Sequence, residues 1–345
     1  NAVRIPLGYW VVTGPTGGDP YVGPALDTLD KAVRLAAESG LQVLLDLHAN
    51  PGGENGDRPS GRCWKDWSWQ RWRQDEALEV LRLLAVRYGD LECVTGLQVC
   101  NEPSESIPIE VLCDFYEAAI LCIRQSGMPP HRVAVVLPIF THFRATQVVQ
   151  LWTDRGNFLR YDNVAFDIHY YHCMGAVWHL TTHNDHLAIA KEHWRELSLM
   201  PSAVVGEWSL AQEGRRSEQE KQAFGRAQLD AYAAASHGWF FWNWHDHEEL
   251  DCWDMRRGVL GRGRLPLPLP AEKPSIPSAS KHNISLNPSG RWPKAFAMVM
   301  AAYAPTGPGG PICCGFQAES FRQAVRSSLR RLRRSLSRAR QAPAP

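Results

Sequence analysis

Residues Thr95–Pro103 read TGLQVCNEP, an apolar run that closes on an amide, a carboxylate and a proline. A carboxylate that ends a buried strand is no solvated helix face, so it needs a partner or a task. The same grammar returns at Ala203–Trp208, AVVGEW, where Glu207 ends the run. It returns with a histidine at Val43–His48, VLLDLH, and at Ala165–Tyr171, AFDIHYY. Near-continuous apolar runs of this length are strands covered on both faces, as in a parallel sheet.

Outward from these runs, strands are predicted over 2–8, 41–48, 95–101, 132–139, 164–169, 203–207 and 238–243. Amphipathic helices are predicted between them over 24–39, 69–88, 108–126, 183–199 and 217–235, with a last one near 292–303. Strand and helix in alternation imply right-handed crossovers and a parallel sheet. The strands carry Arg4, His48, Asn101 with Glu102, His169 with Tyr171, Glu207 and Trp242 at or near their ends. Functional groups on many different strands suit a (β/α)8 TIM barrel, whose strand ends surround one mouth. A doubly wound sheet would gather its site at one switch point and carry a glycine-rich phosphate loop. Pro51-Gly52-Gly53 lacks both GxGxxG spacing and a following Lys-Ser/Thr, and reads as a turn.

Seven units leave such a barrel one short. Asn1 leads directly into a strand, so the expectation is an α/β barrel lacking its first β/α unit, with two exposed sheet edges, unless another segment fills the gap. Residues 1–303 form the expected catalytic domain, with a long proline-rich loop over 261–290. Residues 304–345 form a tail, disordered or helical, in which Phe321, Val325, Leu329, Leu332 and Leu336 recur at helical spacing. Eight arginines and one glutamate give this tail +7, which, against +1 overall, leaves −6 on residues 1–303. An acidic body argues against nucleic acid as a partner. A weak membrane-surface contact is the functional reading of the tail, solvated disorder the plain one.

The composition, 44% hydrophobic and 21% charged, is that of a globular chain and excludes wholesale disorder or a collagen-like fibre. Nine cysteines without a CxxC pair signal neither a zinc site nor a disulfide framework. A sequon at Asn283 would suit a secreted protein, and oligomeric state is not legible.

Glu102 and Glu207 are the candidate catalytic residues. If their strands face each other across a barrel, one carboxylic acid can protonate a glycosidic oxygen while the other attacks the anomeric carbon. Structural ion pairs at strand ends are the plain alternative. Arg4 can hold the nucleophile ionised, or simply tie the rim together. Asn101 can donate to a sugar 2-hydroxyl. His48, His169 and Tyr171 suit sugar hydroxyls and the orientation of the acids, with a zinc site of His48, His169 and an acid as the rival. Fourteen tryptophans demand a use, because pyranose rings stack on indoles. Trp242 is the expected floor of the sugar site. Trp10, Trp64, Trp208, Trp244 and Trp253 also fall near strand ends, whereas Trp72, Trp152 and Trp194 read as core.

These segments together resemble glycoside hydrolase family 5, most closely its exo-β-1,3-glucanase branch. Val3–Trp10 resembles the second-strand motif, and Leu45–His48 with Pro51–Gly56 the third-strand loop, in which Asn55 is then a substrate-binding position. Asn101-Glu102-Pro103 is similar to the acid/base motif, His169 and Tyr171 to the His-x-Tyr pattern, and Gly206–Ser209 to the nucleophile motif. Asp46–Asn50 departs from the usual His-Gly. The resemblance implies a retaining enzyme on β-glucan or another β-glucoside, free of metal and organic cofactor, with Glu102 as proton donor and later base and Glu207 as nucleophile. Its other branches leave open a β-glucosidase for glycolipids, and a non-catalytic carbohydrate-binding barrel is the reading from another class.

Overall fold

Six strands, β1 (Ala2–Gly8), β2 (Gln42–Ala49), β3 (Val94–Gln98), β4 (Ala134–Ile139), β5 (Val164–His172) and β6 (Ala203–Gln212), pair in chain order and all in parallel. The computed structural model describes residues 1–139, 142–248, 250–261, 265 and 267. Helices α1 (Leu26–Glu38), α2 (Gln74–Tyr88), α3 (Ile109–Gln125), α4 (His142–Asp154) and α5 (His183–Leu199) cross between successive strands, and α6 (Glu218–Tyr232) follows β6. The sheet is a curled part of a (β/α)8 barrel. Asn1–Met174 with Thr182–Leu267 form one unit; of the second, Gly175–Thr181 is described, a 3-10 turn at Ala176–Leu180.

Strand alternation sorts the core into two sets. Val43, Leu45, Leu47, Leu97, Val135, Leu137, Phe166, Ile168 and Val205 belong to the large cluster shared with the helices. Leu44, Val136 and Val204, one from every second strand, form a separate small cluster with Phe240. This is the layered interior of a barrel, where alternate strands fill alternate levels. Gly96 on β3 makes room for it, since a Cβ there would lie 2.7 Å from Leu44 Cδ1. The helices dock by ordinary stripes: α1 buries Leu29, Val33 and Ala36. Capping boxes at Thr182/Asp185 and Ser217/Glu220 start α5 and α6.

Several expectations need correction. The run at 238–243 is not a full strand. Trp239 makes one bridge to Val205, Phe240 N donates to Val205 O at 2.8 Å, and Trp242 N to Trp208 O at 2.8 Å. The segment then turns to a different partner, with Asn243 N donating to Trp253 O at 2.8 Å, so no ladder builds up. Helix α4 is missing from the sequence reading. Strand β3 stops at Gln98, which leaves Asn101 and Glu102 on the following loop, whereas β5 and β6 run on to His172 and Gln212. Trp194 is not core but 52% exposed, and Trp208 is wholly buried rather than facing a cleft. The helix near 292–303, the tail at 304–345 and most of the loop at 261–290 lie outside the described residues. Among the described residues no helix is long and apolar enough to cross a membrane.

Candidate active site

The level above the Leu44–Val136–Val204 layer is polar, and it comes from the other three strands. Arg4 on β1 donates through Nε to Gln98 Oε1 on β3 at 3.1 Å, and Gln98 Nε2 donates to Asp167 Oδ2 on β5 at 2.9 Å. Asp46 on β2 joins from the side, 3.0 Å from Arg4 Nη2. All four side chains are buried, so each must be paired to be tolerated there.

On this layer stand the two glutamates. Arg4 Nη1 meets Glu207 Oε1 at 2.6 Å, and Tyr171 donates its hydroxyl to Glu207 Oε2 at 2.6 Å. The same guanidinium donates through Nη2 to Asn101 Oδ1 at 2.8 Å, which leaves the amide nitrogen of Asn101 as its free end. His169 lies between the acids, its Nδ1 2.7 Å from Glu102 Oε1 and 3.6 Å from Glu207 Oε2. One atom from each of Glu102, His169 and Glu207 lies within 4.8 Å of the others. The acids therefore converge, though they lie 105 positions apart in the chain.

Their surroundings differ. Burial pushes the Glu207 carboxyl upward, but His169, Arg4 and His48 together with the Tyr171 hydroxyl overcome it and pull the pKa down to about 2. Glu207 is thus held as a carboxylate well below the usual carboxylate range. Burial opposes charge on His169, yet Glu207 and Asp167 hold its pKa well above the ordinary histidine value. Burial and then the Glu207 charge raise Tyr171, which keeps its proton to donate.

His48 pairs through Nδ1 with Asp46 Oδ2 at 2.7 Å and stacks on Trp242, ring centroids 5.5 Å apart and 13° from parallel. Arg4 lies 5.9 Å from the Trp242 ring on the same side of the site. Trp253 packs 5.4 Å from Tyr171. Farther out, Trp10 stacks on Tyr21 at 3.7 Å, and Trp64 lies between Arg62 and Arg71 at 4.1 and 4.8 Å. Asn55 is spent on the scaffold, with Nδ2 donating to the Glu102 carbonyl at 2.6 Å. His48 stands outside the cluster that a cation would use, and Arg4 places a fixed positive charge on Glu207, the wrong sign for a neighbouring metal ion.

The sequence reading passed over Asp46, Gln98, Asp167 and Glu54. The signal is present for three of them: Asp46, Gln98 and Asp167 are polar letters inside apolar runs, two or three residues before His48, Asn101 and His169, whereas Glu54 sits in the turn PGGENG beside Asn55. What it lacked was the register that puts Arg4, Gln98 and Asp167 on one level.

A parallel barrel with two carboxylates facing each other across its mouth, one ionised by an arginine, defines a glycoside hydrolase. A profile described as Cellulase (glycosyl hydrolase family 5) matches residues 1–248. The chain belongs to glycosyl hydrolase family 5. It is 30% identical over 321 residues to a probable glucan 1,3-beta-glucosidase A of Aspergillus terreus, covering 79% of this chain and 73% of the relative. It is 30% identical over 318 residues to a glucan 1,3-beta-glucosidase of Schwanniomyces occidentalis, covering 78% and 70%. The crystal structure of a rutinosidase from Aspergillus niger matches with a TM-score of 0.61 at 17% identity, over 76% of this chain and 77% of that one.

Proposed function

We propose that the chain is a retaining, exo-acting β-glucosidase for β-1,3-glucan, with Glu207 as nucleophile and Glu102 as acid/base. The observation that carries this reading is the pairing of one arginine-held carboxylate with a second within 4.8 Å. So close a pair leaves no room for a water between sugar and carboxylate, as an inverting enzyme needs. Glu102 gives its proton to the departing oxygen as Glu207 bonds to the anomeric carbon. A water then yields its proton to Glu102, and its oxygen displaces Glu207, so the configuration is retained. Trp242 and His48 floor the sugar site, and the Asn101 amide reaches the 2-hydroxyl. The relatives named glucan 1,3-beta-glucosidases support the linkage.

The test is product analysis on a β-1,3-glucan such as laminarin. Release of glucose one unit at a time with net retention is expected. Release of longer oligomers, or turnover of a glucosylated lipid in preference to the glucan, would overturn the substrate assignment. Glu207→Gly abolishes hydrolysis, and external azide then yields a glycosyl azide of inverted configuration. Glu102→Ala slows poorly activated glucosides far more than aryl glucosides with good leaving groups; equal losses would count against Glu102 as the proton donor.

A further inference from the structure

Beneath the two acids lies a third carboxylate to which the double displacement gives no task. Asp167 is wholly buried on β5, two residues before His169. Its Oδ1 accepts at 2.6 Å from the backbone nitrogen of Gly206, the residue before Glu207. Its Oδ2 accepts from Gln98 Nε2 at 2.9 Å and lies 3.1 Å from His169 Nε2. Only a glycine at 206 allows this approach, because a Cβ there would lie 2.2 Å from Oδ1 and 2.4 Å from Oδ2.

Both ring nitrogens of His169 therefore face carboxyl oxygens, Nε2 on Asp167 and Nδ1 on Glu102. Both Asp167 oxygens act as acceptors, Oδ1 from Gly206 N and Oδ2 from Gln98 Nε2, so Nε2 meets an acceptor and carries a hydrogen, and the state of Nδ1 governs Glu102. With a hydrogen on Nδ1, the ring donates to Oε1 of Glu102, and the acid's own proton is carried on Oε2. With Nδ1 bare, the ring accepts, and the acid's proton is turned inward on Oε1, away from a leaving group.

We propose that Asp167 is a positioning residue that keeps His169 as an imidazolium donating to Glu102, and that fixes, through Gly206, the backbone carrying Glu207. The proposal rests on the assignment of Glu102 as acid/base and Glu207 as nucleophile. The charges facing His169 agree with it. Asp167 from its own strand, Glu102 after β3 and Glu207 from β6 are acidic. Arg4 from β1 opposes them but is itself bonded to Glu207, and Asp46 from β2 offsets the more distant His48. Strand β4, AVVLPI, offers no charge at all. Burial disfavours the charged ring, and the Glu207 and Asp167 charges more than reverse that, leaving its pKa well above the ordinary histidine value. His169 keeps both protons through the cycle, while the proton that moves belongs to Glu102.

The test uses the full chain labelled with 15N-histidine, the His169 signal being identified by its loss in His169→Asn. At neutral pH the wild-type ring shows two protonated nitrogens. A neutral ring at pH 7 would overturn the proposal without any variant. Asp167→Asn removes the negative charge opposite Nε2 and leaves Gly206 N, Gln98 Nε2 and His169 Nε2 competing for one amide oxygen, so the Nε2 proton loses its ionic partner. His169 is then neutral, with its contact to Glu102 intact. The acid limb of kcat/KM, set by Glu207, moves up by about one pH unit, the low end of what an opposite charge does to a carboxylate. On poorly activated glucosides kcat falls tenfold or more at nearly constant KM, with a smaller loss on aryl glucosides that have good leaving groups. A variant whose Tm falls while the His169 signal and the acid limb stay in place would show a merely structural Asp167. Azide rescue of Glu207→Gly reports separately on the underlying assignment, so the two ideas can fail independently.

Discussion

At the scale of single residues, the state of the site is set by Arg4. Its three nitrogens are used by Gln98, Glu207, Asn101 and Asp46. Arg4→Met leaves Asp46 and Glu207 buried without their cation, a loss of about 3–5 kcal/mol for a broken buried pair. It also raises the pKa of Glu207, so the acid limb of activity climbs in this variant. The stability sign follows from the same shift. Glu207 sits at about 2 when folded against an ordinary value of 4.5, so it contributes stability above the unfolded value that is lost as pH falls from there toward 2. A Tm-against-pH series should therefore steepen below pH 4.5 in the wild type and flatten in Glu207→Gln; parallel curves would contradict the depressed pKa. Glu102, Glu207, Arg4 and His169 were legible in the sequence because a charged letter closing or interrupting an apolar run has few structural excuses. Asp46 and Asp167 are such letters too, but whether they meet a cation depends on which level of the barrel they occupy. That level is fixed by strand register, which no single run contains.

At the scale of elements, the loop after β2 buckles the loop after β3. Asn50 Nδ2 donates to Val99 O at 3.4 Å, Asn101 N to Glu54 Oε1 at 3.4 Å, and Ser104 N to Glu54 O at 2.9 Å, beside the Asn55 bond to Glu102. Glu54 is wholly buried, and burial raises its pKa to about 7, only partly offset by backbone N–H donors. A folded-state pKa above the ordinary 4.5 means the native state holds a proton that the unfolded state gives up between those values. Stability is then full below about pH 4.5 and declines as pH rises toward 7, by on the order of 3 kcal/mol. Glu54→Gln, which cannot ionise, should remove that decline and raise the Tm at pH 8 relative to wild type. An unchanged slope between pH 5 and 7 would locate the titration elsewhere. Elements were read unevenly for a physical reason. Strands buried on both faces announce themselves, whereas α4, among its described side chains, buries the apolar Ala145, Val148 and Trp152 beside the charged Arg144 and carries β-branched Thr146, Val148, Val149 and Thr153, so its apolar stripe is interrupted and its propensity low. Tertiary packing, not the local sequence, makes it a helix.

At the scale of the whole molecule, the barrel brings opposite requirements together: a dry layer that fixes charges, and above it a mouth that takes in a polar sugar. The alternation of strand and helix made the barrel legible. The convergence of two acids more than a hundred residues apart follows only from the curl of the sheet. Because the negative charge of Glu207 is held in place before substrate arrives, the site is preorganised for the positive charge that grows at the anomeric carbon. A glucose-shaped iminosugar, protonated at its ring nitrogen, presents that charge in a stable molecule. It binds the folded chain and not the unfolded one, so at a hundred times its Kd it adds about 2.7 kcal/mol of stability. For a domain of this size, where 1 kcal/mol moves Tm by roughly 2–4 °C, the expected shift is roughly 5–10 °C. The shift should shrink sharply in Glu207→Gln, which keeps the shape and loses the charge, and should survive in Trp244→Ala, whose ring is 61% exposed. Equal shifts in wild type and Glu207→Gln, read by thermal denaturation at one iminosugar concentration, would mean that shape alone recognises the ligand and that the buried charge has another purpose.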